Sequence, residues 1–172
     1  MLGEQWSSQH LTDSAKRILR QIPERAGDRG LHVVDQSSIV MMVLWSLLHW
    51  ERKVGRCALE HIGVDPYELA RHLDRLLQDK AEEHPVAVTP AGTLVLVKTR
   101  EAYTPWDVEA LLEPLLQQAE HEALALGHTY VGSEHLVLAV IRLADAALAG
   151  LLREYLVVHA RVKEAVVELL GP

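Results

Sequence analysis

Apolar residues recur along this chain at the three- and four-residue spacing of helices, broken by short polar and glycine-containing stretches. Leu11, Ala15, Ile18, Leu19 and Ile22 share one face of a first helix, which Thr12 can cap and which runs to about Arg29. Pro23 falls inside that run and should kink or split it. A second helix, capped by Ser37 or Ser38, reaches about Trp50. Ile39, Val40, Met41, Met42, Val43, Leu44, Leu47 and Leu48 make it apolar on all sides, which predicts a buried, central position. A short third helix spans about Lys53 to Ile62 and stops at Gly63. Asp65 and Pro66 start a fourth, where proline at the first helical position costs nothing. Leu69, Leu73, Leu76 and Leu77 form its inward stripe.

The period changes over residues 83–100. Pro85 to Thr89, a Pro90-Ala91-Gly92 turn and Thr93 to Lys98 predict a β-hairpin, weighed against an extended linker lying over the core. Helical spacing then returns. Thr104 and Pro105 start a helix that Leu111, Leu112, Leu115, Leu116, Ala119 and Ala123 carry to Gly127, and that Pro114 should bend. Three more follow, from Ser133 to about Leu143, about Asp145 to Tyr155 and about His159 to Leu170. The count is eight helices.

The chain pivots on the stretch from Leu126 to Leu138. Gly127 suits a helix stop that needs positive φ, Gly132 and Ser133 offer an N-cap, and Glu134 sits where the next helix exposes its N–H groups. The same apolar frame occurs 97 residues earlier without a gap. Gly30 matches Gly127, Val34 matches Val131, Ile39 matches Leu136 and Val40 matches Val137. Asp35, Gln36, Ser37 and Ser38 stand where the second copy has Gly132, Ser133, Glu134 and His135. A kept apolar frame with changed polar positions implies two copies of one supersecondary unit.

These residues resemble the Clp repeat, the N-terminal domain of the Clp unfoldase ATPases. Its signature reads approximately L-G-H-x-Y-[VI]-G-[TS]-E-H-[LI]-L-L, and the chain matches at Leu126, Gly127, His128, Tyr130, Val131, Gly132, Ser133, Glu134, His135 and Leu136. Leu11 to Leu19 is similar to the family's opening F-T-x-x-A-x-x-V-L, and Leu59 to Asp65 to its L-x-x-L-G-V-D. Leu156 replaces a family glycine, and Val157-Val158 a Val-Asp pair. The resemblance covers about residues 11–81 and 104–170. It implies an all-α, pseudo-two-fold double repeat of two four-helix units, forming one domain over residues 1–172. Repeat one is 11–81, the linker with its hairpin 82–103, and repeat two 104–170.

Composition narrows the chemistry. A chain of 172 residues suits one domain or two small fused units, and with no Phe its 49% apolar content must fill a core with Leu, Val and Ala. Net charge −7 argues against a nucleic-acid partner, which needs a basic stripe. One cysteine excludes an internal disulfide and suits a reducing, cytoplasmic setting. Met1 to His10 carries no apolar signal region, and Ile39 to Leu48 is far shorter than the ~20 residues of a membrane span. No glycine is followed by lysine, so no phosphate loop is present and no nucleotide is expected to bind. The resemblance then implies a stand-alone Clp-repeat protein or the N-domain of a larger one.

No enzyme is expected. Ser133, Glu134 and His135 are consecutive, so their side chains diverge and a helix cap is the better reading than a triad. Cys57 and His61, four apart on a helix, lack an orienting third group, which points to a buried, inert thiol. His121, His128 and His135 recur every seven residues, but Gly127 interrupts the helix between them. No metal and no cofactor are expected, and local hydrogen bonding is the better use of these histidines.

What the resemblance implies is a non-catalytic protein-binding module that recognises substrate polypeptides or adaptors for a Clp unfoldase or protease. The alternative is a regulatory or structural interaction scaffold no longer coupled to Clp. Expected binding residues are Thr12, Ser37, Gly132, Ser133, Glu134 and His135. In relatives that recognise phosphorylated arginine, the signature Glu and the repeat's opening Thr help form the site. Here copy two has Glu109 at the Thr position and copy one has Ser37 at the Glu position, so neither holds the full pair. Copy two is expected to dominate, with Glu134 accepting a paired hydrogen bond from a guanidinium of a basic or unfolded segment.

Overall fold

The computed structural model describes residues 10–28, 33–49, 52–82, 96–97 and 105–171. Among these the fold is all-α, with nine helices: α1 (Asp13–Arg20), α2 (Ile22–Asp28), α3 (Gln36–His49), α4 (Val54–His61), α5 (Pro66–Glu82), α6 (Pro105–Ala125), α7 (Ser133–Leu143), α8 (Ala146–Glu154) and α9 (His159–Leu170). Nine replace the eight expected because the first helix breaks at Gln21, two residues before Pro23. Pro114, by contrast, sits inside the continuous α6.

Two short strands, β1 (Val33–Val34) and β2 (Leu96–Val97), pair antiparallel, with Val33 opposite Val97 and Val34 opposite Leu96. The first arm and the turn of the expected hairpin lie outside the described residues. The described part of its second arm pairs with β1. Thr104, the expected cap of α6, also lies outside the described residues.

The centre of the molecule is α3 against α7. Every apolar side chain from Ile39 to Leu44, and from Leu136 to Val140, is buried. An 11- to 14-residue helix apolar on all sides is stable in water only where other helices cover it, and α1, α2, α5 and α6 cover α3 while α4, α6 and α9 cover α7. The packing follows an exchange rule. Swap α1–α2 with α6, α3 with α7, α4 with α8 and α5 with α9, and the α4–α9 contact becomes α8–α5. The α3–α5 contact becomes α7–α9, and α1–α7 becomes α6–α3. All of these contacts occur.

Helix ends show how local sequence sets this geometry. Thr12 Oγ1 accepts the Ala15 N–H at 3.2 Å and caps α1 as expected. The expected cap of α3 by Ser37 or Ser38 is corrected: both serines lie inside the helix. The Asp35 carboxylate caps it, taking the Ser38 N–H at 2.7 Å and the Ser38 hydroxyl at 2.8 Å. A carboxylate already charged and next to the open N–H groups outcompetes a hydroxyl there. Helix α4 ends with Gly63 at φ 90°, its N–H on Glu60 O and the Val64 N–H on Leu59 O. Helix α8 ends in the same double bond pattern, with Leu156 and Val157 donating to Arg153 and Leu152. There the left-handed residue is Leu156, at φ 55°.

Candidate protein-binding site

The segment from Gly127 to His135 is a turn held by its own side chains. Gly127, at φ 74°, closes α6, with its N–H on Leu124 O and the His128 N–H on Ala123 O. Val131 then forms a bridge with Leu11. The Thr12 N–H reaches Val131 O at 2.9 Å, and the Val131 N–H reaches His10 O at 2.6 Å. This bridge sets the start of α1 beside the start of α7.

Within the turn the histidines form a chain. The Gly132 N–H donates to His135 Nδ1 at 2.9 Å, which fills that lone pair and leaves the ring proton on Nε2. Nε2 faces His128 Nδ1 at 2.8 Å. His135 is fully buried. Burial first, and the neighbouring His128 second, lower its pKa to about 4, so it is neutral near pH 7. The Tyr130 ring stacks on His128 at 5.1 Å and meets His135 edge-on at 5.5 Å. Burial first, and the nearby Glu134 carboxylate second, raise the Tyr130 pKa.

Glu134 is the main correction to the sequence reading. Expected as an exposed partner for a guanidinium, it is 4% exposed. Its carboxylate folds back over Gly132, where an added Cβ would lie 2.4 Å from Oε1, and it accepts the Ser133 hydroxyl at 3.3 Å. The Ser133 oxygen in turn accepts the Gly55 N–H at 3.1 Å. The structure therefore gathers Gly132, Ser133, Glu134 and His135 into one buried network. Thr12 is half-buried against Val131 as the α1 cap. Ser37 lies apart: its hydroxyl donates to Asp145, the cap of α8, and Lys80 lies 3.7 Å from Asp35 and 3.9 Å from Asp145. Glu109 lies in α6, with its side chain outside the described residues.

His128, Glu134 and His135 bring one ligand-capable atom each within 4.8 Å of one another, a spacing that admits a metal ion. Their hydrogen bonds answer differently. His135 has its Nδ1 lone pair filled by a backbone N–H and its Nε2 proton directed at His128, so neither nitrogen offers a lone pair to a cation. His121 is exposed. Cys57 is half-buried, not buried as expected, and His61 turns to Glu168 of α9 at 2.7 Å.

Three features escaped the sequence reading. The first is Gly55 in α4: a Cβ there would stand 2.5 Å from Ser133 O and 2.8 Å from Ser133 C, so α4 and α7 touch backbone to backbone. A glycine inside a short helix, with no stop after it, was the available signal. The second is Glu122, 2% exposed in α6, joined by Gln118 at 2.9 Å, His159 at 2.9 Å and Arg142 at 3.4 Å. Burial raises its pKa, but His159, Gln118 and Arg142 outweigh that and hold it below the usual range. Its place in line with the apolar Leu115 and Ala119 marked it as a polar group on a core stripe.

The third is an open hollow of about 390 Å³ beside the turn, lined by His10, Glu120, Ala123, Leu124, His128, Thr129, Tyr130 and Val131. Leu124 is 74% exposed on its rim and Tyr130 37%. This is the accessible apolar surface at the signature turn, and it adjoins the polar network without using it.

No family model matches the chain. It is similar to the chaperone protein ClpB of Oceanobacillus iheyensis, with 23% identity over 160 residues that take in 93% of this chain. The chain spans 17% of the length of that ClpB.

Proposed function

We propose that the chain is a non-catalytic protein-binding module that holds polypeptide in the hollow between the end of α6 and the signature turn. The observation that carries this reading is Leu124, a large apolar side chain left mostly in water at the rim of a concave surface. Exposed Glu120 on the same rim takes over the acidic role that the sequence gave to Glu134, and with the net charge of −7 it favours basic or unfolded segments. The similarity to ClpB supports a role in recognising substrate polypeptides or adaptors for a Clp unfoldase or protease in the cytoplasm. A one-domain organisation with repeats at 11–81 and 104–170 belongs to the same proposal.

Leu124→Asp tests it. The side chain is exposed, so the melting temperature should stay within about 2 °C of the parent. Binding of a fluorophore-labelled, permanently unfolded polypeptide should weaken by about tenfold or more, since one anchoring Leu is worth about 1.5–3 kcal/mol. Undiminished binding by the folded variant would remove the hollow as the site.

A further inference from the structure

The His128–His135 pair at the wall of the hollow has no spare lone pair. A neutral imidazole holds one N–H and one nitrogen lone pair. His135 Nδ1 uses its lone pair on the Gly132 N–H at 2.9 Å. His128 Nδ1 uses its own on the His135 Nε2–H at 2.8 Å, which leaves the His128 proton on Nε2. A further proton can enter the pair only by breaking one of these bonds. His135 is fully buried and tied to the backbone, and with its pKa lowered to about 4 it stays neutral in mild acid. His128 is half-buried and lines the hollow, so water reaches it. Once His128 Nδ1 carries a proton, two N–H groups face each other across 2.8 Å and the rings must part.

His128 does not move alone. Tyr130 stacks on it at 5.1 Å with the ring planes 6° apart, and both line the hollow. The same wall holds exposed His10, whose Nδ1 donates to Thr129 O at 3.3 Å. His10 keeps that bond when its Nε2 takes a proton. Acid therefore adds charge at His10, but charge and movement at His128. Carboxylates favour a cation here. Glu134 and His128 bring ligand-capable atoms within 4.8 Å of each other, and Glu120 stands on the rim. Glu122 of α6 acts on His135 and only partly offsets its burial. Tyr130, its pKa raised, stays neutral in acid.

We propose that this pair is a pH-sensitive latch on the hollow: on taking a proton, His128 leaves His135, carries Tyr130 with it and lowers the affinity for a basic or unfolded segment. Two effects of the same sign set the direction. The imidazolium repels cationic side chains, and the apolar wall beside Leu124 loses the Tyr130 ring. Histidine is the side chain that changes charge between about pH 5 and 8, so the latch opens in that interval. The loss of affinity rests on the hollow being the polypeptide site; the parting of the rings does not.

Two measurements separate these steps. Nitrogen-15 NMR of the histidine rings in the full chain, without ligand, follows the first. From about pH 7.5 to about pH 5.5 the His135 Nε2–H signal should be lost as His128 takes its proton, the Tyr130 ring signals should shift, and His135 should stay neutral. In His128→Gln, whose side-chain carbonyl can accept the same N–H but takes up no proton, that signal should persist throughout. The second step is read by titrating a fluorophore-labelled, permanently unfolded polypeptide over the same interval, with far-UV circular dichroism checking the fold at each pH. The parent's affinity should fall about threefold or more between the two pH values, and that of His128→Gln by less than about twofold. His10→Gln should keep most of the parent's dependence. A His128 that titrates while the His135 and Tyr130 signals stay unmoved, or a His128→Gln as pH-dependent as the parent, would overturn the latch. Ring signals that behave as expected, with no polypeptide bound at either pH, would instead remove the hollow as the binding site.

Discussion

Gly55→Ala isolates a close backbone contact in the core. The new methyl would meet Ser133 O at 2.5 Å, Ser133 C at 2.8 Å and Glu134 N at 3.2 Å. These are backbone atoms at the start of α7, so no rotamer change relieves them, and α4 must move off α7. Overpacking of this kind costs about 1–3 kcal/mol. The same shift stretches the Gly55 N–H bond to Ser133 Oγ, now 3.1 Å and worth about 1 kcal/mol. Alanine's better helix propensity returns about 1 kcal/mol. The net expectation is a loss of about 2 kcal/mol, or a melting temperature lower by about 4–8 °C for a chain of this size. Thermal unfolding followed by circular dichroism reads it directly, and Gly150→Ala supplies the contrast. Gly150 also lies inside a helix, α8, but nothing stands within 4 Å of its added Cβ. There propensity acts alone, and the melting temperature should rise by about 2 °C. If Gly55→Ala melts as high as Gly150→Ala, the backbone contact between α4 and α7 does not exist.

Leu156→Gly should raise stability by about 1 kcal/mol, because Leu156 is 65% exposed and holds φ 55°, a left-handed position costly to any residue with a Cβ; an unchanged urea midpoint would show that the turn is not left-handed. Val43→Asp or Leu138→Asp, each at a fully buried position, should leave an unpaired charge in a central helix and abolish cooperative unfolding; a melt close to the parent's would place these helices outside the core. Acid should act in two windows. His135 has its pKa lowered from 6.5 to about 4, so the unfolded chain binds the extra proton between those values, and stability, complete above pH 6.5, falls by about 3 kcal/mol as pH drops to 4. Glu60, Glu122 and Asp145, whose pKa values are lowered, hold stability that is lost only below about pH 4.5. Equilibrium urea unfolding of His135→Gln should show lower stability at pH 7 but little slope from pH 6.5 to 5; a parent-like slope would assign that window to another group.

The helical frame was legible because it rests on period and punctuation. The all-round apolar run from Ile39 to Leu48 has only one stable placement, and Gly63, Gly127 and Asp65-Pro66 mark helix ends by backbone chemistry alone. Helix α7 begins 97 residues after α3, at Ser133 and Gln36, as the gapless copies required. What sequence reasoning lost was depth. Glu134 at a helix start reads as an exposed carboxylate, and nothing in its neighbours says that it folds back over Gly132 to take the Ser133 hydroxyl. Gly55 and Ser133 are 78 residues apart, so a glycine inside a short helix hints at a close approach while its partner is set by tertiary packing alone. Asp35 replaces the cap that Ser37 and Ser38 offered because three candidates within four residues compete and only geometry ranks them.

The residues that carry the resemblance most strongly are thus those that close the turn on itself. A ligand guanidinium could reach Glu134 only by entering a buried site and competing with the Ser133 hydroxyl that the carboxylate already accepts. An exposed pair to Glu120 needs no such exchange, but is worth only about 0–1 kcal/mol. Covering the exposed three-quarters of Leu124 is worth about 1–2 kcal/mol, with Tyr130 adding to it. Apolar contact in the hollow therefore outweighs charge pairing on its rim. Selectivity follows that order. On the proposed reading, partners are ranked first by the apolar side chain they insert beside Leu124, and only then by the charge of the residues around it.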